Sequence, residues 1–202
     1  MAQQWPAPGR ALEPVRQTVR VRRPIEAAFE LFTRDIASWW PVETHHARGG
    51  VVGVVFEGRP GGRIYEPCRD GRTADWGEVL AWEPPNRVVF TWQPVQTRPP
   101  PTEVEVRFIA EAAAVTRVEL EHRGWERLGA LAAEIRESYL NGWPGVMRLF
   151  ARAAGEAGGG HAAVQVPPLA REALRLPFMA SARVWSIWNS ALGASPKVAA
   201  QK

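Results

Sequence analysis

A single cysteine, Cys68, stands in the 202 residues. One thiol closes no internal disulfide and builds no cysteine-based metal cluster. Lysine is nearly missing: Lys197 and Lys202 are the only two, so 23 of the 25 basic residues are arginine. No apolar run approaches the roughly 20 residues needed to span a bilayer. The opening stretch, MAQQWPAPGRALEP, has no apolar run of signal-peptide type, and a cytoplasmic location is therefore expected. The chain also lacks a G-x-S-x-G elbow, a phosphate-cradling glycine loop and a dinucleotide fingerprint. Net charge is only +4, of which residues 156–202 carry +3. The near-neutral remainder offers no electrostatic footprint for a nucleic-acid groove.

What the chain has in quantity is tryptophan, ten residues of it. The richest stretch is PGGRIYEPCRDGRTADWGEVLAWEPPNRVVFTW, residues 60–92. It reads as three strands joined by two turns, with Asp70-Gly71 as a hairpin signal. Alternation places Trp76, Glu78, Leu80 and Trp82 on one face of the strand Ala74–Glu83.

Around that stretch the pattern is regular. Val15–Val21 alternates as a strand. Pro24 suits a first helical position, and Ile25, Ala28, Phe29 and Phe32 follow as one apolar helical face. A second short helical piece, Asp35–Trp40, ends at Pro41. Val51–Glu57 is expected to be a strand, as are Arg63–Glu66 and Arg87–Trp92. Thr102–Ala110 sets Val104, Val106 and Phe108 against Glu103, Glu105 and Arg107. Thr116–Arg123 sets Val118, Leu120 and His122 against Arg117, Glu119 and Glu121. These are antiparallel strands with one wet and one buried face. Leu128, Leu131, Ile135, Tyr139, Val146 and Phe150 then form a helical stripe. Pro144 within it predicts a kink or a fresh helix start.

The organisation expected is a tail over residues 1–14, one domain over 15–155, and a linker plus weakly amphipathic extension over 156–202. The class is α+β. A curved antiparallel sheet, two short helices after its first strand and a long C-terminal helix bury their apolar stripes together. In the extension, Met179, Ala182, Trp185 and Leu192 form an apolar face that either docks on a protein partner or membrane surface or packs back on the domain.

The ordered segments PGGRIYEP, WGEVLAWEPPNRVVFTW, TEVEVRF, TRVELEHRGW and NGWPGVMRLFA resemble the START-related SRPBCC superfamily, that of the birch-pollen allergen. They are most similar to its branch named after activators of the heat-shock chaperone ATPase, over about residues 15–155. The resemblance implies a helix-grip fold with a hydrophobic cavity between sheet and long helix. It also implies relatives that carry lipids or hormones, or cyclise polyketides.

Two residues are candidates for chemistry. Glu78, if it faces inward with Leu80 and Trp82, is either a general acid/base or polar anchor, or a mouth residue paired with Arg63. His122, inward of its strand, either serves a ligand together with Glu78 or is a satisfied core histidine. Trp39, Trp40, Trp76, Trp82, Trp92 and Trp143 either line a pocket for a ring-containing molecule or close a core. Phe90, Phe108 and Tyr139 join them as candidate ligand contacts, and Trp92 and Trp143 lead because one lies on the sheet and the other on the helix over it. Glu43, His45 and His46 lie in one loop, where adjacent histidines face a single metal ion poorly. No metal and no cofactor is expected. Three functions follow: a carrier of a small hydrophobic ring compound, a cyclase, aromatase or hydrolase using the same cavity, and a chaperone-binding module with a filled core.

Overall fold

Seven strands hydrogen-bond in the order β1-β7-β6-β5-β4-β3-β2, every neighbouring pair antiparallel. The computed structural model describes residues 12–41, 50–93 and 100–156. Strand β1 (Val15–Val21) leads into α1 (Ile25–Phe32) and a 3-10 turn, Ile36–Ser38. Five strands of a meander follow β2 (Val55–Phe56): β3 (Arg63–Pro67), β4 (Thr73–Glu83), β5 (Arg87–Trp92), β6 (Thr102–Ala112) and β7 (Val115–Arg123). A 3-10 segment, Trp125–Leu131, leads into the long helix α2 (Ala132–Glu156).

Alternation decides which face is buried. Along β7 every second residue is buried, from Thr116 through Val118 and Leu120 to His122. Phe29 and Phe32 of α1 lie edge-on to Phe108 of β6 at 5.2 and 5.8 Å, and Phe32 meets Phe150 of α2 at 5.3 Å. α1 is thereby wedged between sheet and long helix. Each such ring contributes about 1.5–3 kcal/mol by its burial.

The opposite face of the sheet is a ladder of opposite charges. Glu105 lies there, only 3% exposed because three arginines roof it. Arg87, Arg107 and Arg123 donate to it at 2.8, 2.6 and 2.8 Å. Burial pushes its carboxyl up, but the three guanidinium hydrogen bonds outweigh that and hold it down at about 2. Arg123 also pairs with Glu103 and Glu121, and Arg16 with Glu121.

Three expectations need correction. Pro24 is the N-cap of α1, one position before the helix. The piece over Asp35–Trp40 is only a single 3-10 turn. The strand expected over Val51–Glu57 shrinks to Val55–Phe56 with one bridge, Val51 to Cys68. Pro67 lies opposite that gap and has no N–H to offer a rung. At Pro144, of the kink or fresh helix start expected, the fresh start does not occur. α2 continues through it, and the buried Trp143, Val146 and Met147 around it outweigh the one missing backbone bond.

Strand β4 carries the most consequential departure. Its register slips by one residue against β5 between Val79 and Ala81, and again against β3 opposite Ile64 and Tyr65. Each slip is a β-bulge that places one extra residue on β4 and resets the alternation. Trp76 and Val79 are buried three residues apart, while Glu78 and Leu80 between and beyond them are exposed. Gly77 makes the close approach possible: a Cβ there would stand 1.8 Å from the Thr91 carbonyl oxygen.

Candidate functional site

Aromatic rings fill the space where sheet and α2 face each other. The sheet supplies Trp76 from β4, Phe90 and Trp92 from β5, Phe108 from β6 and His122 from β7. The turn after α1 supplies Trp39 and Trp40, and α2 supplies Tyr139, Trp143 and Phe150. Trp40 lies 4.8 Å from Trp76, 5.8 Å from Trp92 and 6.3 Å from Trp143. Trp92 lies 5.4 Å from Trp76, 5.7 Å from Trp143 and 6.0 Å from Phe90. Four indoles, from the turn after α1, β4, β5 and α2, therefore form one contiguous group, tilted or edge-on as ring quadrupoles prefer. Trp39 joins it through Trp40 at 5.5 Å, and its indole donates to the Leu31 carbonyl at 2.7 Å. Trp82 stands apart, against Phe29 and Phe56 at 4.9 and 5.9 Å.

His122 is fully buried, and its hydrogen bonds fix its tautomer. The Trp143 indole N–H, which can only donate, reaches His122 Nδ1 at 3.0 Å. Nδ1 is thus the bare nitrogen, and the ring's proton sits on Nε2. Nε2–H donates to Thr102 Oγ1 at 2.7 Å, and that hydroxyl donates to the Trp92 carbonyl at 3.0 Å. Burial lowers the His122 pKa to about 3, so the imidazole is neutral at physiological pH. One turn earlier on α2, the Tyr139 hydroxyl accepts the Trp92 indole at 2.9 Å. Burial pushes the Tyr139 phenol up to about 12, partly offset by that indole.

The acid/base pair weighed for Glu78 and His122 does not form. The β4 bulges turn Glu78 to the exposed face, and both His122 nitrogens are engaged elsewhere. Nor does Glu78 pair with Arg63, whose guanidinium goes to Asp75 at 2.9 Å. His122 is the satisfied core histidine. Glu43, His45 and His46 lie outside the described residues, as does the apolar face at Met179 to Leu192. Among the described residues no three His, Cys, Asp or Glu side chains gather as a metal site, and no helix is long and apolar enough to cross a membrane.

Sequence reasoning missed Glu66. It is fully buried on β3, and the Trp76 indole donates to its Oε1 at 2.8 Å. The signal was present: Ile64 and Glu66 are two apart and share a face. Trp40 was weighed as a pocket ring, yet its place at the centre of the group was not legible. Trp125 was also missed. It is fully buried, 4.1 Å from the His122 ring, with its indole N–H unpaired. Away from this interior, an open depression of about 640 Å³ lies between α1 and the β4–β5 turn, walled by Glu26, Glu83, Arg87 and Arg107. None of the indoles lines it, and Ile25, Pro85, Phe108 and Ile109 complete its wall.

Residues 22–155 match the family described as activator of Hsp90 ATPase homolog 1-like protein. Among solved structures, the anthrahydroquino-gamma-pyrone synthase Txn09 is 35% identical, with 70% of this chain and 97% of that chain covered and a TM-score of 0.50. The self-sacrificing resistance protein CalC from Micromonospora echinospora is 26% identical, covering 72% of this chain and 97% of that one at a TM-score of 0.56. The protein BH1534 from Bacillus halodurans, 21% identical over 71% of this chain and 98% of its own at a TM-score of 0.51, shares the fold. No curated protein matches the sequence.

Proposed function

The chain belongs to the activator of Hsp90 ATPase homolog 1-like family, and from that premise we propose that it binds a planar, ring-containing hydrophobic molecule between its sheet and α2. The observation that carries this reading is the contiguous group of Trp40, Trp76, Trp92 and Trp143 drawn from the turn after α1, the sheet and the long helix. Flat π-faces exclude water and stack on a flat ligand with little loss of side-chain freedom. A core needs only volume, which Leu and Val supply without indole N–H groups to satisfy. The 35% identity to a synthase whose product is a fused-ring pyrone supports a polycyclic ligand.

Tryptophan fluorescence titrated with a hydroxyanthraquinone, alongside native mass spectrometry of the purified protein, tests this. Saturable quenching that is weakened in Trp92→Ala and Trp143→Ala is expected. A linear, unsaturable response with no bound mass refutes it and turns attention to the chaperone-partner reading.

The synthase likeness favours a second reading, ring closure of the same ligand. His122 takes no proton in it, being neutral and doubly engaged. Catalysis would rest on holding a reactive conformer and excluding water. A 1-(2-hydroxyphenyl)-1,3-diketone, which loses water on closing to a γ-pyrone, is the test substrate. Closure no faster than in buffer, despite binding, leaves the carrier reading alone.

A further inference from the structure

We infer that the Trp125 indole N–H is the donor that holds a ring carbonyl of the ligand, so that the interior selects planar polycyclic ketones; this rests on the binding reading above. Trp125 is fully buried, and among the described residues its Nε1 is the one buried side-chain nitrogen or oxygen without a hydrogen-bond partner. Other indoles of this interior are satisfied. Trp39 donates to the Leu31 carbonyl, Trp76 to Glu66, Trp92 to Tyr139 and Trp143 to His122. The ring nearest to Trp125 has no nitrogen to offer it. His122 lies 4.1 Å away, but Trp143 takes its Nδ1 lone pair and its Nε2 carries the proton directed at Thr102. Tyr139, 5.6 Å from Trp125, joins it to the indole group through its own bond to Trp92.

Enclosing an N–H without an acceptor forfeits the bond it made with water, and a phenyl ring in its place would carry no such cost. An acceptor brought in by a ligand removes that cost. Indole nitrogen only donates, so the ligand group must accept. A carboxylate would bring an unpaired charge among the rings, whereas a carbonyl is neutral and lies in the plane of a fused-ring ketone. Access is also available at this place. Trp125 opens the 3-10 segment Trp125–Leu131 and is the one buried residue in it. Gly124 just before the segment and Gly129 within it hold positive φ angles of 86° and 59°, and the backbone is non-helical at Gly129. The segment lies outside the sheet ladder, so it can be displaced without breaking a strand rung.

The probes are 9-fluorenone and fluorene, planar tricycles of nearly the same shape that differ by a carbonyl against a methylene. Equilibrium dialysis of each is run on the full chain and on its Trp125→Phe variant, with circular dichroism to verify folding. The fluorenone-to-fluorene affinity ratio is expected to fall by about 5- to 100-fold in Trp125→Phe, the span for one buried, unpaired donor gaining its acceptor. An unchanged ratio overturns the inference while leaving the binding reading intact. Isotope-edited infrared spectra of fluorenone bound to the wild type give a second readout. Its carbonyl band should lie below its position in hexane, as for a hydrogen-bonded ketone. A band at the hexane position overturns the inference even if Trp125→Phe does not fold. Failure of both probes to bind the wild type refutes the binding reading and this inference with it.

Discussion

Lowering the pH should unfold this protein through His122 before its carboxylates matter. The folded-state pKa is depressed to about 3 from an ordinary 6.5, because burial disfavours the imidazolium. Protonation would also cost the Trp143 bond, since a protonated Nδ1 cannot accept an indole N–H. The unfolded chain therefore binds the proton more readily. Stability from this group is fully present above about pH 6.5 and is lost as pH falls toward 3. Between pH 7 and pH 5 the loss is about 2 kcal/mol, at about 1.36 kcal/mol per unit of pH below the unfolded value. Urea unfolding followed by tryptophan fluorescence at pH 7, 6 and 5 measures it. A His122→Leu variant, less stable at pH 7, should give a slope flatter by that same amount, which separates His122 from the other histidines. Parallel slopes for the two proteins over this range would show that His122 gains a proton in the folded state, and the reasoning about its tautomer would be wrong.

Gly77→Ala should abolish soluble expression or lower stability by more than about 3 kcal/mol, because the added methyl meets the Thr91 carbonyl and not a yielding side chain; a melting temperature near wild type would refute the bulge geometry. Trp143→Phe keeps a ring but strands His122 Nδ1, at a cost of about 1–3 kcal/mol, and should cost markedly less in a His122→Leu background in a double-mutant cycle. Glu105→Gln removes the negative charge and one of the two acceptor oxygens that three arginines share, and should cost about 1–3 kcal/mol at pH 7. Because the Glu105 pKa is depressed, its contribution is present above about 4.5 and lost as pH falls toward 2, so wild type and variant should converge in acid.

Most of the fold was legible because two periodicities dominate it. The strict alternation of Thr102–Ala110 and Thr116–Arg123 has one wet side and one dry side, and β6 and β7 follow it apart from one slip near their hairpin. The same rule failed on β4, where it assigned Glu78 to the interior. A bulge is an insertion that a period of two cannot register, and the only trace in the sequence is Gly77, one glycine among eighteen. The aromatic group was legible in its rings and not in its bonds. That Trp92 and Trp143 would face each other follows from helix covering sheet. That Trp143 would spend its N–H on His122 depends on the depth and rotation of α2, set by packing across the whole domain. Glu66 was passed over for the opposite reason: its alternation with Ile64 was readable, but Glu78 sat in a longer and more conspicuous strand.

The two bonds from α2 to the sheet have a mechanical meaning. Tyr139 and Trp143 are four residues apart, one helical turn, and each is tied to a different strand residue, Trp92 and His122. Greasy contacts alone would let a helix roll or slide by a fraction of a turn for little energy. Rolling α2 by one residue swings both side chains about 100° away, and sliding it along its axis pulls both from their partners together. The pair indexes the helix, as two dowel pins locate a plate that one would let pivot. Anything that enters beneath α2 must then fit the clearance this indexing leaves or shear both pins at once, so admission should be abrupt with ligand thickness and not graded.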